Sequence, residues 1–213
     1  YEVSVTGAKP VQVGGIIAGS NHLTNGNTGD GLELGDDVSS SWIRGNADFG
    51  VINVRGDGGF GDINMDVFGD VGHLTAAETD TFIGGLDIDI SGNLGKFESR
   101  SGALSFNTLF VDGDIGELSS AGDLSDNGLV AFADIGGHVG SVFAQGLYRV
   151  DMDVESEGIY FFYVGGDFGM PVVGGSHARL DMGTGADVGF AHVVGDIYDQ
   201  GDEVQPVSVT DET

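Results

Sequence analysis

One short phrase recurs along the chain as GDVGHL at residues 69–74, GNLGKF at 92–97 and GDIGEL at 113–118. Aligned on the glycine at its fourth position, this repeat phrase has seven copies, separated by 22, 23, 21, 24, 29 and 20 residues. The aligned glycines are Gly50, Gly72, Gly95, Gly116, Gly140, Gly169 and Gly189. Seven copies with matching columns indicate a repeat architecture, in which each unit packs on its neighbours.

Each position of the repeat phrase has its own chemistry: small, then Asp, Asn or His, then apolar, then glycine, any residue and apolar. The polar column is Asp48, Asp70, Asn93, Asp114, His138, Asp167 and Asp187. Seven residues before the glycine, a further apolar column contains Ile43, Met65, Ile88, Leu109, Ala133, Phe162 and Met182. A recurring glycine suits a corner, where φ is positive or where there is no room for a Cβ atom.

Between the phrases, apolar and polar residues alternate, as in INMDV at 63–67, LDIDI at 86–90 and VDMDV at 150–154. Strict alternation is typical of a half-buried strand and not of a helix. Propeller blades are about twice as long, and a leucine-rich repeat would show its own leucine phrase. The sequence therefore predicts an all-β fold, a parallel β-helix or β-solenoid with about 22 residues per coil and roughly seven to nine coils.

In these repeats the chain resembles the right-handed parallel β-helix repeats of large bacterial surface, adhesin-like and filament-forming proteins. The resemblance covers roughly residues 40–195 and concerns architecture and repeat style. It implies an extracellular or cell-surface location and a structural role.

Irregular stretches divide the chain into three parts. We expect one β-solenoid domain over residues 1–200, with an irregular N-terminal cap and loop at 1–41 and regular coils at 42–195, followed by a polar tail or linker at 201–213. Because the chain begins with Tyr1 and not Met, we expect it to be a processed or excised piece of a longer protein. Solenoid ends that stay uncovered would offer strand edges for joining the next subunit.

The composition is strongly acidic: 34 Asp and Glu against 7 Lys and Arg among 213 residues give a formal charge of −27. Nucleic acids and anionic membrane surfaces require basic patches, so we expect neither as a partner. No apolar run is long enough for membrane insertion. The charge favours cations, which leaves open a calcium-rich extracellular setting and a salt-rich habitat. Because there is no cysteine, disulfides and thiolate chemistry are excluded.

The acidic members of the polar column are the candidate metal ligands. They are Asp48, Asp70, Asp114, Asp167 and Asp187. Coils in register stack about 4.8 Å apart, and calcium prefers the oxygen ligands that such a column of carboxylates supplies. The alternative is that each side chain accepts backbone N–H bonds within its own turn, a role that also suits Asn93 and His138.

The sequence predicts a structural module of an extracellular fibre, surface layer or adhesin, which self-associates through its ends with the assistance of calcium. We expect no enzyme, because the basic residues are scattered and the five histidines have no ligand spacing. The alternative is a carbohydrate-binding or polysaccharide-cleaving β-helix, marked by a groove lined with outward carboxylates and aromatic residues.

An aromatic run at residues 160–163 is relevant to that alternative. Alternation would place Tyr160 and Phe162 on one side and Phe161 and Tyr163 on the other. The outer pair is then either covered by a loop or forms an exposed patch for a partner or carbohydrate.

Overall fold

The computed structural model describes residues 2–5, 11–13, 16–19, 41–45, 47–55, 63–76, 86–125, 130–156, 158–169, 178–199 and 202–204. Every regular element in these ranges is a β-strand. In chain order the strands are β1 (Glu2–Val5), β2 (Val11–Val13), β3 (Ile16–Gly19), β4 (Ser41–Gly45), β5 (Ala47–Arg55), β6 (Ile63–Val67), β7 (Val71–Ala76), β8 (Leu86–Ile90), β9 (Leu94–Ser99), β10 (Leu104–Ser105), β11 (Thr108–Val111), β12 (Ile115–Ser120), β13 (Leu124–Ser125), β14 (Ala131–Ile135), β15 (Val139–Ala144), β16 (Val150–Val154), β17 (Gly158–Val164), β18 (Arg179–Met182), β19 (Asp187–Val188), β20 (Ala191–Val193), β21 (Ile197–Asp199) and β22 (Asp202–Val204).

Two long parallel sheets run the length of the stack. Sheet A has the order β1-β4-β6-β8-β11-β14-β16-β18. Sheet B has the order β19-β17-β15-β12-β9-β7-β5-β2, with β20 beside β17 and β3 beside β5. A narrower third side consists of the β10–β13 pair and a line of bridges from Leu124 through Tyr148 and Phe168 to Ile197. The predicted parallel β-solenoid is confirmed.

The number of turns differs from the prediction. All three sides are described in four consecutive turns with a buried core, at residues 86–105, 108–125, 131–148 and 150–168, and in the half-buried last coil at 179–197, where Ile197 bridges Phe168. The structure thus closes about four turns, fewer than the seven to nine expected. The prediction counted every copy of the repeat phrase as a full turn, whereas segments that would close the other turns lie outside the described residues.

Strand register also corrects the alignment of the later repeats. Val139 pairs with Ile159, and Ile159 pairs with Val188, so the last two steps are 20 and 29 residues and not 29 and 20. The copy ending at Gly169 does not lie at the corner between sheets A and B, because its Phe168 bridges Tyr148 on the third side. In the apolar column, Ala133 is likewise followed by Met152 and Leu180 and not by Phe162 and Met182.

The inward rows stack like on like and form one continuous core. Within a row each side chain packs on the equivalent side chain of the next coil, as in the buried row Ile88, Leu109, Ala133 and Met152. Burial of one such aliphatic side chain contributes about 1.5–3 kcal/mol. Stacking of equal rows explains why the apolar columns of the repeat phrase keep their spacing.

The glycine column marks a bend on the outer surface of sheet B. In the coil at β12, Ile115 and Leu118 face the core, while Gly116 and Glu117 between them both face outward. A Cβ atom on Gly72 would lie 2.5 Å from the carbonyl oxygen of Gly50 in the preceding coil. Positive φ occurs among the described glycines at Gly158, Gly169 and Gly185, outside the correctly aligned column. Lack of room, and not positive φ, therefore favours glycine in this column, although the coil of β17 has Tyr160 at the equivalent position.

Parts of the predicted domain plan are not described. Of the cap and loop at 1–41, the structure describes the strands β1, β2 and β3 and the first residue of β4. The predicted tail at 201–213 lies outside the described residues except for β22, which pairs with β21 in antiparallel orientation.

Candidate functional site

The polar column of the repeat phrase forms a hydrogen-bonded ladder up the corner between sheets A and B. The Oδ1 atom of Asp48 accepts the backbone N–H of Asp70 at 3.1 Å, and Oδ1 of Asp70 accepts that of Asn93 at 2.7 Å. In the same way, Oδ1 of Asn93 accepts the N–H of Asp114 at 2.9 Å, and Oδ1 of Asp114 accepts that of His138 at 3.0 Å. Each side chain thus binds the backbone of the following coil.

This ladder corrects the expectation that each side chain serves its own turn. The bonds connect residues 21 to 24 positions apart, one coil to the next. A side-chain oxygen is the one requirement, so Asp and Asn are equivalent in the column. His138 receives the last bond described in the ladder; its Nδ1 lies 3.0 Å from Asp114 and its ring lies 5.2 Å from that of Tyr160.

The structure brings together some of the five candidate calcium ligands and separates others. Asp48, Asp70 and Asp114 share the ladder, and Asp187 lies at the top of the same corner, where it pairs with Gly158. Asp167 lies at the second corner, where its Oδ1 accepts the N–H of Asp196 at 2.9 Å. The repeat phrase misled the alignment because similar residues occupy both corners.

Calcium binding by this column stays a prediction. Among the described residues, no group of three or more His, Asp or Glu side chains is arranged to hold a metal ion. Three acidic residues of the irregular N-terminal loop could serve as calcium ligands equally well by sequence, and they lie outside the described residues: Asp30, Asp36 and Asp37.

The outer surface of sheet A carries two rows of acidic and aromatic side chains, which we call the acidic-aromatic face. Its first row is Asn64, Asp87, Thr108, Phe132 and Asp151, and its second row is Asp66, Asp89, Phe110, Asp134 and Asp153. Phe110 and Phe132 contact each other with ring centroids 5.8 Å apart, and each is 38% exposed. The alternation in the sequence indicated that the Asp residues face outward. The contact between the two Phe rings became evident only from the strand register.

Two shallow depressions flank Phe110 on this face. One of about 260 Å³ is lined by Asp66, Asp87, Asp89 and Thr108, and one of about 250 Å³ lies on the other side of the ring. Partial burial raises the pKa of Asp89, and the charges of Asp66 and Asp112 raise it further. Such an arrangement can accept hydrogen bonds from hydroxyl groups beside an apolar ring surface.

The N-terminal half of the outer surface of sheet B is ionic. Glu98 is only 6% exposed, and its carboxylate contacts Lys96 Nζ at 2.7 Å, Arg100 Nη2 at 2.6 Å, His73 Nε2 at 3.0 Å and Thr75 Oγ1 at 3.3 Å. Burial alone would raise the pKa of Glu98, but hydrogen bonds from Lys96 and Arg100 hold it below its usual value. The partners satisfy this carboxylate within the structure, so we assign it to stability.

The C-terminal half of the same surface is aromatic. Phe143 stacks on Tyr163 at 4.8 Å and Tyr163 on His192 at 5.7 Å, while Phe161 stacks on Phe190 at 5.2 Å. Tyr163 therefore has a ring above and a ring below it. Stacked rings cover one another's faces and leave mainly their edges for a partner, which disfavours stacking of a sugar on the inner rings.

The aromatic run at 160–163 differs from the alternation that was expected. Phe162 is buried in the core, whereas Tyr160 is 56% exposed and Phe161 is 39% exposed. Tyr160 follows Ile159 and so occupies the position of the glycine column, where two successive residues face outward. Tyr160 therefore lies outside with Phe161 and not inside with Phe162.

The last coil, formed by β18, β19 and β20, leaves the core incompletely covered. Its inward residues Leu180, Met182, Val188 and Val193 are half-buried, whereas their equivalents one coil earlier are fully buried. Phe190 and Val194 are 51% and 59% exposed. Among the described strands, β18 pairs with β16 alone. We call this surface the C-terminal end.

Comparison with known proteins gives no relative: no protein-family model, curated protein or solved structure matches the chain. Within the described part of the chain, no helix has the length and apolar character needed to cross a membrane.

Proposed function

We propose that the chain is a structural module of an extracellular fibre, surface layer or adhesin that self-associates through the ends of its solenoid. The observation that supports this proposal is the C-terminal end, where an incompletely covered core meets the edge of β18. An open edge is a template for another strand, and adding a subunit repeats the contact that already joins successive coils.

The backbone of β18 is oriented for such pairing. The N–H of Gly183 donates to the carbonyl of Val154 at 2.8 Å, on the side of β16. Successive residues of a strand direct their backbone groups to opposite sides, so the N–H and C=O groups of Met182 and Leu180 face away from β16. No described strand pairs with them on that side, and the proposal assigns them to the first strand of another subunit.

The acidic charge opposes this association and gives cations a role in it. Two copies each with a formal charge of −27 repel one another. Salt screens that repulsion, and calcium additionally binds carboxylates. Calcium assistance is therefore part of the proposal.

Light scattering of the purified chain, with calcium titrated against a potassium chloride series of equal ionic strength, tests the proposal. We expect particle mass to grow with protein concentration, and to grow further with calcium. Leu180→Lys adds a charge at the C-terminal end and should abolish growth, whereas Phe132→Lys makes the same change on the side of the stack and should not. A monomer under all conditions, or loss of growth in Phe132→Lys alone, would reject association through the ends.

A second candidate function is carbohydrate binding on the acidic-aromatic face. The specific observation in its favour is the contact of Phe110 with Phe132 between rows of outward carboxylates. Aromatic rings pack on the apolar faces of sugars, and carboxylates accept hydrogen bonds from their hydroxyl groups. The charge of this face favours neutral or amino sugars over uronic acids.

Titration calorimetry with a soluble β-glucan, chitosan oligomers and polygalacturonate tests this second function. Binding of either of the first two should disappear in the Phe110→Ala, Phe132→Ala double variant. It should persist in Phe190→Ala, which removes an exposed ring on the outer surface of sheet B. Binding that survives the double variant, or no binding to any of the three, would exclude the face as a site for these sugars.

A further inference from the structure

We infer that subunits join head to tail in one register, in which β1 of one copy pairs in parallel with β18 of another and Glu2 lies opposite Arg179. This inference rests on the proposed association through the ends, and it names both the occupant of the C-terminal end and its position. The junction then continues both sheets without a break.

The register follows from the rows of sheet A. Glu2 pairs with Trp42, Trp42 with Asn64, and the same row continues coil by coil to Arg179. If the next copy extends the row by one more coil, Glu2 follows Arg179. A shift by one residue would turn every side chain of the added strand to the other face.

A shift by an even number of residues would keep each side chain on its proper face of the sheet. Charge complementarity selects the proposed register from among these. Arg179 is 56% exposed in its side chain and already contacts Asp151 at 3.0 Å, in the coil on its N-terminal side. In this register Glu2 of the next copy stands opposite Arg179 on its C-terminal side. A shift by two residues would instead place Ser4 opposite the guanidinium.

Apolar rows also match across the junction. In sheet A, Leu180 falls opposite Val3 and Met182 opposite Val5. Extension of the rows of sheet B gives three further pairs, which are Val188 with Val13, Ala191 with Ile16 and Val193 with Ala18. By register, the inward residues of the C-terminal end would thus stand opposite apolar residues in each of these five rows.

The corner ladder continues through the same junction. Gln12 pairs with Asp48 at the first ladder position, and Asp187 occupies the last position of that corner. When the copies are stacked in register, the Asp187 carboxylate faces the backbone N–H of Gln12, as Asp48 faces that of Asp70. The junction thus gives Asp187 the kind of partner that the ladder supplies to Asp48, Asp70, Asn93 and Asp114.

Disulfide trapping between two single-cysteine variants tests the register, since the chain contains no cysteine of its own. Ser4→Cys mixed with Asp181→Cys keeps Glu2 and Arg179 and places the two Cα atoms about 4.8 Å apart, within disulfide range. Glu2→Cys mixed with Asp181→Cys is offset by two residues, or about 8 Å, which is too far. We expect the first mixture to form mixed dimers in oxidising buffer well above its homodimers, and the second not to.

Charge reversal provides an independent measurement. Arg179→Glu should weaken association up to about fivefold, the range of an exposed ion pair, and mixing it with Glu2→Lys should restore it. Asp134→Lys, on a strand inside sheet A, makes the same charge change as Glu2→Lys and is its matched control; mixing it with Arg179→Glu should leave the association weak.

Light scattering of the unmodified chain distinguishes failure of the proposed register from failure of association through the ends. If the chain associates but both cysteine mixtures cross-link equally, or neither does, this register is wrong and association through the ends still stands. If the chain stays monomeric under all conditions, both are overturned.

Discussion

Replacement of Asp70 separates the two roles considered for the polar column. Asp70→Ala removes the acceptor of the Asn93 N–H at 2.7 Å and of the Asn93 side-chain amide at 3.2 Å. A hydrogen bond to a charged acceptor contributes about 1.5–3 kcal/mol, and the exposure of Asp70 brings its contribution toward the neutral value of about 1 kcal/mol. We therefore expect a loss of about 1–2 kcal/mol. Asp70→Asn keeps the acceptor and should change stability by less than about 0.5 kcal/mol.

Hydrogen exchange of the Asn93 amide is the assay, because repeat proteins open locally and a single amide reports its own coil. A loss of 1–2 kcal/mol corresponds to roughly 5- to 30-fold faster exchange in Asp70→Ala. An amide of β16, several coils away, serves as the control. Unchanged exchange at Asn93 in Asp70→Ala, or equal acceleration in Asp70→Asn, would refute the ladder as the reason for the column.

The same two variants bear on calcium. Asn is a weaker calcium ligand than Asp, because it lacks the charge, yet it is an equal member of the ladder. If calcium stabilises the wild-type chain and not Asp70→Asn, the column binds the ion. If both respond alike, any effect of calcium arises elsewhere.

Four further outcomes can be measured by urea denaturation. Gly116→Ala should lose about 2–3 kcal/mol, because its Cβ atom would meet the carbonyl oxygen of Gly95; a neutral effect would contradict the close packing of coils. Glu98→Gln should lose about 1–3 kcal/mol at neutral pH; since the folded pKa of Glu98 is lowered, the difference should begin to shrink below the ordinary value of 4.5 and vanish once the pH has fallen through the folded pKa, and a difference that does not shrink with falling pH would argue against the ionic network. Asp89→Asn should be more stable than the wild type once the pH has risen through the raised pKa of Asp89 and equal to it below pH 3.8, the ordinary value; equal stability at all pH values would contradict this. Tyr148→Phe should gain up to about 1 kcal/mol, because the buried hydroxyl has no hydrogen-bond partner among the described residues; a loss would indicate a partner.

The sequence was sufficient to predict strands, their parallel stacking and the inward rows, because alternation and a fixed period depend on local chemistry. The sequence was insufficient to align the last repeats correctly. Asp167 and Asp187 occupy the same position in their copies of the repeat phrase, yet they lie at different corners of the solenoid. Two corners of one coil impose the same local demands, so residues alone do not distinguish them.

The sequence also could not show which coil each polar side chain binds. The mixture of Asp70 and Asn93 in one column indicated a need for an acceptor oxygen, but not that the donor belongs to the following coil. Likewise, the outward position of Tyr160 follows from the bend that the strand makes at the glycine column, which simple alternation does not contain.

The ladder gives the stack an order of construction. Every described bond in it runs from a side chain earlier in the chain to an amide about one coil later. On a ribosome or a secretion channel that releases the N-terminal part first, each newly emerging coil meets an acceptor that is already in place. The contacts of each new coil lie in the coil just completed, so only a short segment of the chain is unfolded while it awaits its partners. The fold can therefore grow at the pace at which the polypeptide is delivered.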